Sequence, residues 1–260
     1  MGLMDGRRAL VAGARNKWSI GWHCAASLLR EGAEVGFSVF SEREARDIAD
    51  LAAEAGHPDA PIFTCNATSA EDVERLFASV AERFDGRLDG LIHSIAFAPR
   101  EALSGDYIDT SGTAFSVAMD SSVYTLIALA RGARPLMAAA GGGGIVTLSY
   151  LGGDRVIPRY NVMGVCKAAL ESTVRYLACD LGPENIRVNA VSAGPIKTLA
   201  AQGVQGFNAM LEQVADRCPM KRKVTADEVG DAALFLLSPL ARGITGETLF
   251  VDAGYNIMGM

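Results

Sequence analysis

The chain has 260 residues, half of them hydrophobic, and a net charge of −6. That supplies a large core and argues against a nucleic-acid partner, which needs a basic surface. Five cysteines without paired spacing read as reduced thiols of a cytoplasmic protein, and three histidines in no HxxxH pattern offer no metal set. The start, MGLMDGRRALVAG, is not a signal peptide, and no uninterrupted apolar segment is long enough to span a membrane, so no membrane partner is expected.

Residues 8–13, RALVAG, read as a short buried strand ending in glycine. A turn, ARNKWSIG, leads into the amphipathic stretch WHCAASLLREG, closed by Gly32. Strand, glycine turn and helix together open a dinucleotide fold, in which helix N-terminal amides face a pyrophosphate. The spacing Gly13, five residues, Ser19-Ile20-Gly21 is a poor match to G-x-G-x-x-G, so this signal alone is weak. A second strand over 34–40 precedes the helix SEREARDIADLAAEAG. Many NAD folds keep a ribose-binding carboxylate at this strand end, where this chain has Phe40 and Ser41. Arg43 is close enough to meet a 2′-phosphate, or is simply a solvated helix residue.

A third strand, PIFTCNA, precedes a helix over 69–84, with Ser69 and Asp72 as a capping box carrying the shorter acid. A fourth strand from Leu88 runs into a loop at Pro99. Residues 100–112 read as loop or short helix, and 113–139 as helix with a break near Gly132 and Pro135. The strand IVTLSY follows a glycine loop. Then Pro158 is expected to open a helix carrying Tyr160 and Lys167. Seven residues are about two helical turns, which would put both side chains on one face, with the ammonium lowering the phenol pKa. Residues 185–196 read as a sixth strand and its exit turn. Residues 197–216 carry short mobile helices, VTADEVGDAALFLLS has the Thr-x-Asp-Glu start of a further helix, and GETLFVDAG is the last strand.

Strands alternating with helices predict one α/β domain of Rossmann type over 1–260, a parallel seven-stranded sheet with helices on both faces. Ligands in such sheets bind at the carboxyl ends of the strands. Gly13, Asn66, Ile95, Tyr150 and Gly194-Pro195 stand at those ends and are expected to share a crevice with Tyr160 and Lys167.

Five motifs extend this reading: Gly13-x5-Ser19-Ile20, HSIAFAP at 93–99, LSYLGG at 148–153, YNVMGVCKA from Tyr160, and RVNAVSAGPIKTLAA from Arg187. With them the whole chain resembles the bacterial enoyl-acyl-carrier-protein reductases of type II fatty acid synthesis, a divergent branch of the short-chain dehydrogenases. The ordinary dyad of that superfamily, Tyr-x3-Lys, is absent because Gly164 stands four residues after Tyr160. The resemblance implies reduction of the double bond of trans-2-enoyl thioesters by NADH, NADPH not being excluded. It implies Tyr160 on the thioester carbonyl, Lys167 on the nicotinamide ribose and Tyr150 beside the β-carbon. Gly13, Ser19, Ile20, Phe40, Ser94 and Ile95, with Asn66 and Ala67 at the adenine, would hold the cofactor. Ile196, Thr198, Leu199 and Ala200 would close over it, and Ala98, Met163 and Phe207 would face the acyl chain, the last from a flap at about 197–216. The implied assembly is a homotetramer, and the implied substrate carrier is acyl carrier protein or coenzyme A.

Four departures qualify that picture. Asn66 replaces the family's aspartate, leaving an amide oxygen as acceptor for adenine. Ala96 replaces a glycine and should crowd diphenyl-ether inhibitors. The flap lacks basic residues, for which Lys197, Lys221, Arg222 and Lys223 would have to substitute in carrier docking. No adjacent basic pair follows the second strand, which favours NADH. A carbonyl reductase on the same fold and a non-catalytic nucleotide-binding protein are the competing readings.

Overall fold

The computed structural model describes residues 2–196, 211 and 214–259. Its strands are β1 (Arg8–Ala12), β2 (Glu34–Val39), β3 (Ile62–Thr64), β4 (Gly90–His93), β5 (Gly143–Ser149), β6 (Ile186–Ala193) and β7 (Thr248–Val251). They form one sheet in the order β3-β2-β1-β4-β5-β6-β7, every neighbouring pair parallel. Successive strand residues face opposite layers, as a period of two requires. Leu10 and Ala12 join one core with Leu91, Ile145 and Val188, while Ala9 and Val11 join the other with Ile92, Val146 and Val191. The first layer is covered by helices α3 (Ala70–Arg83), α4 (Gly112–Met119), α5 (Thr125–Ala139) and α6 (Val162–Leu181). The second is covered by α1 (Ile20–Arg30), α2 (Glu42–Glu54) and α7 (Ala226–Leu237).

The chain order reverses between β1 and β4, so a crevice opens at their carboxyl ends. Most helix starts follow their capping residues. Ser41, Ser69, Ser111 and Thr225 each accept a backbone N–H of the following turn, and Thr225 with Glu228 completes a reciprocal box. At α3 the reciprocal arm differs from the expected box: Asp72 accepts from Asn66 N, not from the backbone of Ser69.

Residues 112–139 depart from the predicted break. The helix runs through Gly132 and Pro135 without stopping. Gly132 is there for packing, since a Cβ would meet the Phe77 ring at 2.1 Å and force α3 away. The irregularity lies earlier, as a π turn over Asp120–Tyr124 between α4 and α5. By length and mean hydropathy, 1.3, this helix could cross a membrane, although Asp120, Arg131 and Arg134 interrupt its apolar run. Leu126, Leu129, Ala133 and Met137 instead bury it against the sheet and its neighbours, as in any core helix.

Candidate active site

The crevice is lined first by glycines. Gly13 leaves β1 with φ +95°, a conformation costly for any side chain, and a Cβ there would meet Ser94 O at 2.4 Å. Gly21, in the first turn of α1, packs in the same way on Ser94 Oγ, at 3.0 Å. Gly13, Ser94, Ile95 and Gly21 are therefore in close contact, as expected for residues sharing one wall. Ser19 precedes α1 but does not cap it. Its Oγ accepts from Arg15 N and donates to Asn16 O, and the first turn holds no acidic residue. No side chain caps the leading amides of α1 and no carboxylate opposes them, an arrangement that suits a pyrophosphate.

The far wall holds the tyrosines and the lysine, and here the geometry corrects the sequence reading. Helix α6 begins at Val162, so Tyr160 lies in the turn before it and not on its face. Arg159 and Asn161, which flank Tyr160, have φ of 65° and 40°. Both are left-handed, costing on the order of 1–3 kcal/mol each. Asn161 Nδ2 donates to Gly105 O, which helps hold that turn. Pro158 stands too early to start the helix.

The turn is pressed onto Leu151–Gly153, the segment after β5. A Cβ on Gly152 would meet Tyr160 Cδ1 at 2.4 Å, and one on Gly153 would meet Lys167 Cβ at 3.1 Å. A Cβ on Gly164 would in turn meet Gly152 O at 2.8 Å. Three glycines thus let two backbone segments touch, and that contact is what occupies the position four after Tyr160.

The rings of Tyr150 and Tyr160 meet edge to face, with centroids 5.0 Å apart at 74°. Lys167 is buried, and its Nζ donates to Leu148 O at 2.7 Å. Burial pulls its pKa down to about 8, against the opposing pull of Cys166 and Glu171. Burial pushes the Tyr160 phenol above its ordinary range, with Tyr150 and Cys166 adding to the effect, and pushes Tyr150 up to about 12. The expected lowering of the tyrosine pKa by Lys167 does not occur: burial sets the direction of the shift, and the ammonium is committed to the Leu148 carbonyl. Tyr160 is a neutral hydroxyl donor at physiological pH.

Beneath the site, His93 is buried between Thr147 at 2.8 Å and Thr125 at 3.0 Å. The Thr125 hydroxyl gives its proton to Ser121 O, so it accepts from Nε2, leaving Nδ1 to accept from Thr147. Burial, then the charge of Lys167, holds this imidazole neutral with a pKa of about 3. Ser122, in the π turn, was not found from sequence. Its buried Oγ accepts from Phe97 N, donates to Phe97 O, and lies 3.8 Å from Met163 Sδ. It ties the loop carrying Ala98 to Met163, both of which pack on the core beside Tyr160. Only the extra residue of the π turn could have signalled it, and that leaves no mark on hydrophobic periodicity.

At the other end, Phe40 is exposed and Ser41 caps α2. Asn66 Oδ1 accepts from both N and Oγ1 of Thr68, so the acceptor role expected toward adenine is already filled within the protein. Ala67 is buried beside it, and Ile196 packs on the second core. Thr198, Leu199, Ala200 and Phe207, with most of the flap expected at 197–216, lie outside the described residues, as does Lys197. Of the other cations considered for docking, Arg222 is held in a fork by Glu228, and Lys221 donates to Asp216 O. All five cysteines are free, and the described residues contain no cluster able to hold a metal.

A family model described as enoyl-(acyl carrier protein) reductase matches residues 13–256. The NADH enoyl-acyl-carrier-protein reductase FabI of Bacillus subtilis is 47% identical over 254 residues, 98% of this chain and 97% of that protein. The FabI of Synechocystis is 49% identical over 259 residues, 99% of each. Among solved structures, the Bacillus cereus enoyl-acyl carrier protein reductase with NADP+ and an indole naphthyridinone superposes with a TM-score of 0.97, at 45% identity over 100% of both chains. That from Anaplasma phagocytophilum with NAD gives 0.94, at 44% identity over 100% of this chain and 97% of the other.

Proposed function

The chain belongs to the enoyl-(acyl carrier protein) reductase family, and on that footing we propose that Tyr160 and Lys167 carry its reduction of trans-2-enoyl thioesters. It is an NADH-dependent oxidoreductase of fatty acid synthesis. The observation that supports the assignment of roles is that the segment after β5 packs on both residues, Gly152 on the Tyr160 ring and Gly153 on Lys167 Cβ.

The residues present fit a dinucleotide. Gly13 admits close backbone approach, the first turn of α1 offers uncommitted amides without an opposing carboxylate, and Lys167 keeps two N–H donors beyond its bond to Leu148 O. Gly13, Ser19 and Ile20 would hold the pyrophosphate, Ser94 and Ile95 the adjoining ribose region, and Lys167 the nicotinamide ribose hydroxyls. When bound, the reduced nicotinamide supplies the hydride that the β-carbon receives.

The protein's own share follows from charge. As the thioester becomes an enolate, negative charge grows on its carbonyl oxygen. The Tyr160 hydroxyl donates to that oxygen and Lys167 keeps a positive potential nearby, so both interactions strengthen toward the transition state. Tyr160 does not ionise. Lys167 Nζ, with a pKa of about 8, stays largely protonated at neutral pH and so keeps that potential. Tyr150, edge-on to Tyr160, limits where the substrate's reactive carbons can lie. Ala98 and Met163, which pack on the core beside Tyr160, would line the acyl side.

Acyl carrier protein is the carrier this reading favours, with coenzyme A thioesters as the alternative, since Arg222 is engaged by Glu228 and the basic docking set is small. The half-exposed Leu249 and Phe250 on β7 and the exposed Ile257 beyond it give an apolar edge suited to a second copy, in a homotetramer. The test is spectrophotometric. NADH should be consumed with crotonyl thioester and not with a 3-ketoacyl thioester. The reverse preference would establish a carbonyl reductase instead.

A further inference from the structure

At the carboxyl ends of β1 and β2, away from the tyrosines, an arginine is held in place by a carboxylate. Arg15, in the turn after Gly13, donates through Nε to Glu44 Oε1 at 2.6 Å. Glu44 is buried in the first turn of α2, and its Oε2 accepts from Phe40 N at 2.9 Å. Both carboxylate oxygens are therefore committed. The other acid of that turn, Glu42, takes the Thr64 hydroxyl. Arg15 itself is 63% exposed, and neither Nη1 nor Nη2 has a hydrogen-bond partner among the described residues.

This position has a meaning in a dinucleotide fold. With a pyrophosphate held at α1 and Lys167 serving the nicotinamide half, the adenosine half would extend toward β2 and β3, whose carboxyl ends lie on that side of β1. A free carboxylate there holds the ribose hydroxyls and repels a 2′-phosphate; a guanidinium there receives one. Here the carboxylate is neutralised and the guanidinium is anchored by its inner nitrogen, so the outer edge of its fork is presented to solvent. The pair has no net charge, so an unphosphorylated ribose is not disfavoured.

Resting on the reductase reading, we propose that Arg15 is a specificity-determining residue that receives the 2′-phosphate, so that this enzyme binds NADPH as well as NADH. Arg43, the candidate weighed from sequence, is not needed for this.

The test compares adenosine 2′,5′-bisphosphate with adenosine 5′-monophosphate, which differ only at the ribose 2′ position, by calorimetry on the wild-type protein and on Arg15→Ala and Arg15→Lys. NADH affinity is measured on the same preparations. The wild type should bind the bisphosphate about tenfold more tightly, as a charge-assisted fork implies. Arg15→Ala should bring the two ligands close to parity while NADH affinity moves less than about twofold, and Arg15→Lys should fall between, keeping charge without the fork. Equal binding of the two ligands by the wild type, or an unchanged preference in Arg15→Ala, overturns the proposal while NADH binding stays intact. Loss of NADH binding by the wild type would instead remove the reductase reading on which it rests.

Discussion

The two ends of the crevice are built by opposite means. At the tyrosine end the chain is forced: two left-handed residues flank Tyr160, three glycines let backbone touch backbone, and Lys167 and His93 are buried. At the adenosine end the chain is relaxed and wet, with Phe40 exposed, Asn66 closing a local turn and Arg15 reaching outward. Chemistry needs a donor fixed to a fraction of an ångström, whereas binding half a cofactor needs only complementary groups within reach. Sequence changes should therefore cost catalysis at the first end and alter only affinity at the second.

The largest expected effect comes from Gly152→Ala. The added methyl overlaps the Tyr160 ring and cannot be accommodated by a flexible side-chain tip. We expect kcat to fall by about a hundredfold, as for a displacement near 1 Å, with NADH affinity nearly unchanged. A crystal structure of the variant should show the ring moved.

The next effect is in pH. With Lys167 titrating at about 8, kcat/KM for the enoyl thioester should decline as pH rises through that value. Stability should move the other way. A pKa lowered in the folded protein means that the unfolded chain binds more protons between about 8 and 10.5, so stability is regained over that window as pH rises. The penalty below it is roughly 3 kcal/mol. Lys167→Met should therefore melt higher than wild type at neutral pH, by a margin that shrinks toward pH 10.

Smaller still is Ser122→Ala. It leaves the partly buried N–H and C=O of Phe97 without their side-chain partner, a cost of about 1 kcal/mol in chemical denaturation. It should raise KM for the acyl substrate and leave KM for NADH alone. Phe40→Ser, at the relaxed end, should change neither kcat nor stability measurably and should shift NADH affinity less than about twofold. A large loss of kcat in that variant would break the contrast between the two ends.

The same contrast decides what could be read in advance. The sheet, its layers and nearly every helix start were legible, because period, glycine punctuation and capping residues all pointed one way. Gly13, Ser94 and Ile95 converge as their strand-end positions implied. Helical spacing extends the helix back to Tyr160 because nothing in a string of letters marks the positive φ of Asn161. Gly132 looks like a helix break in sequence because a packing glycine and a breaking glycine are the same letter, and only the Phe77 ring beside it separates them. The sign of the tyrosine shift was missed because spacing reports a nearby charge but not the burial that overrides it. The hydrogen bonds from Thr68 to Asn66 are a property of the folded turn alone and leave no mark in the sequence.

The most direct test is the turnover of crotonyl thioester by Tyr160→Phe combined with Lys167→Met, in protein shown by circular dichroism to be folded. Loss of the hydroxyl donor and the buried cation together should lower kcat/KM by at least about a thousandfold. A double variant that still consumes NADH with crotonyl thioester at the wild-type rate would contradict this account of the site.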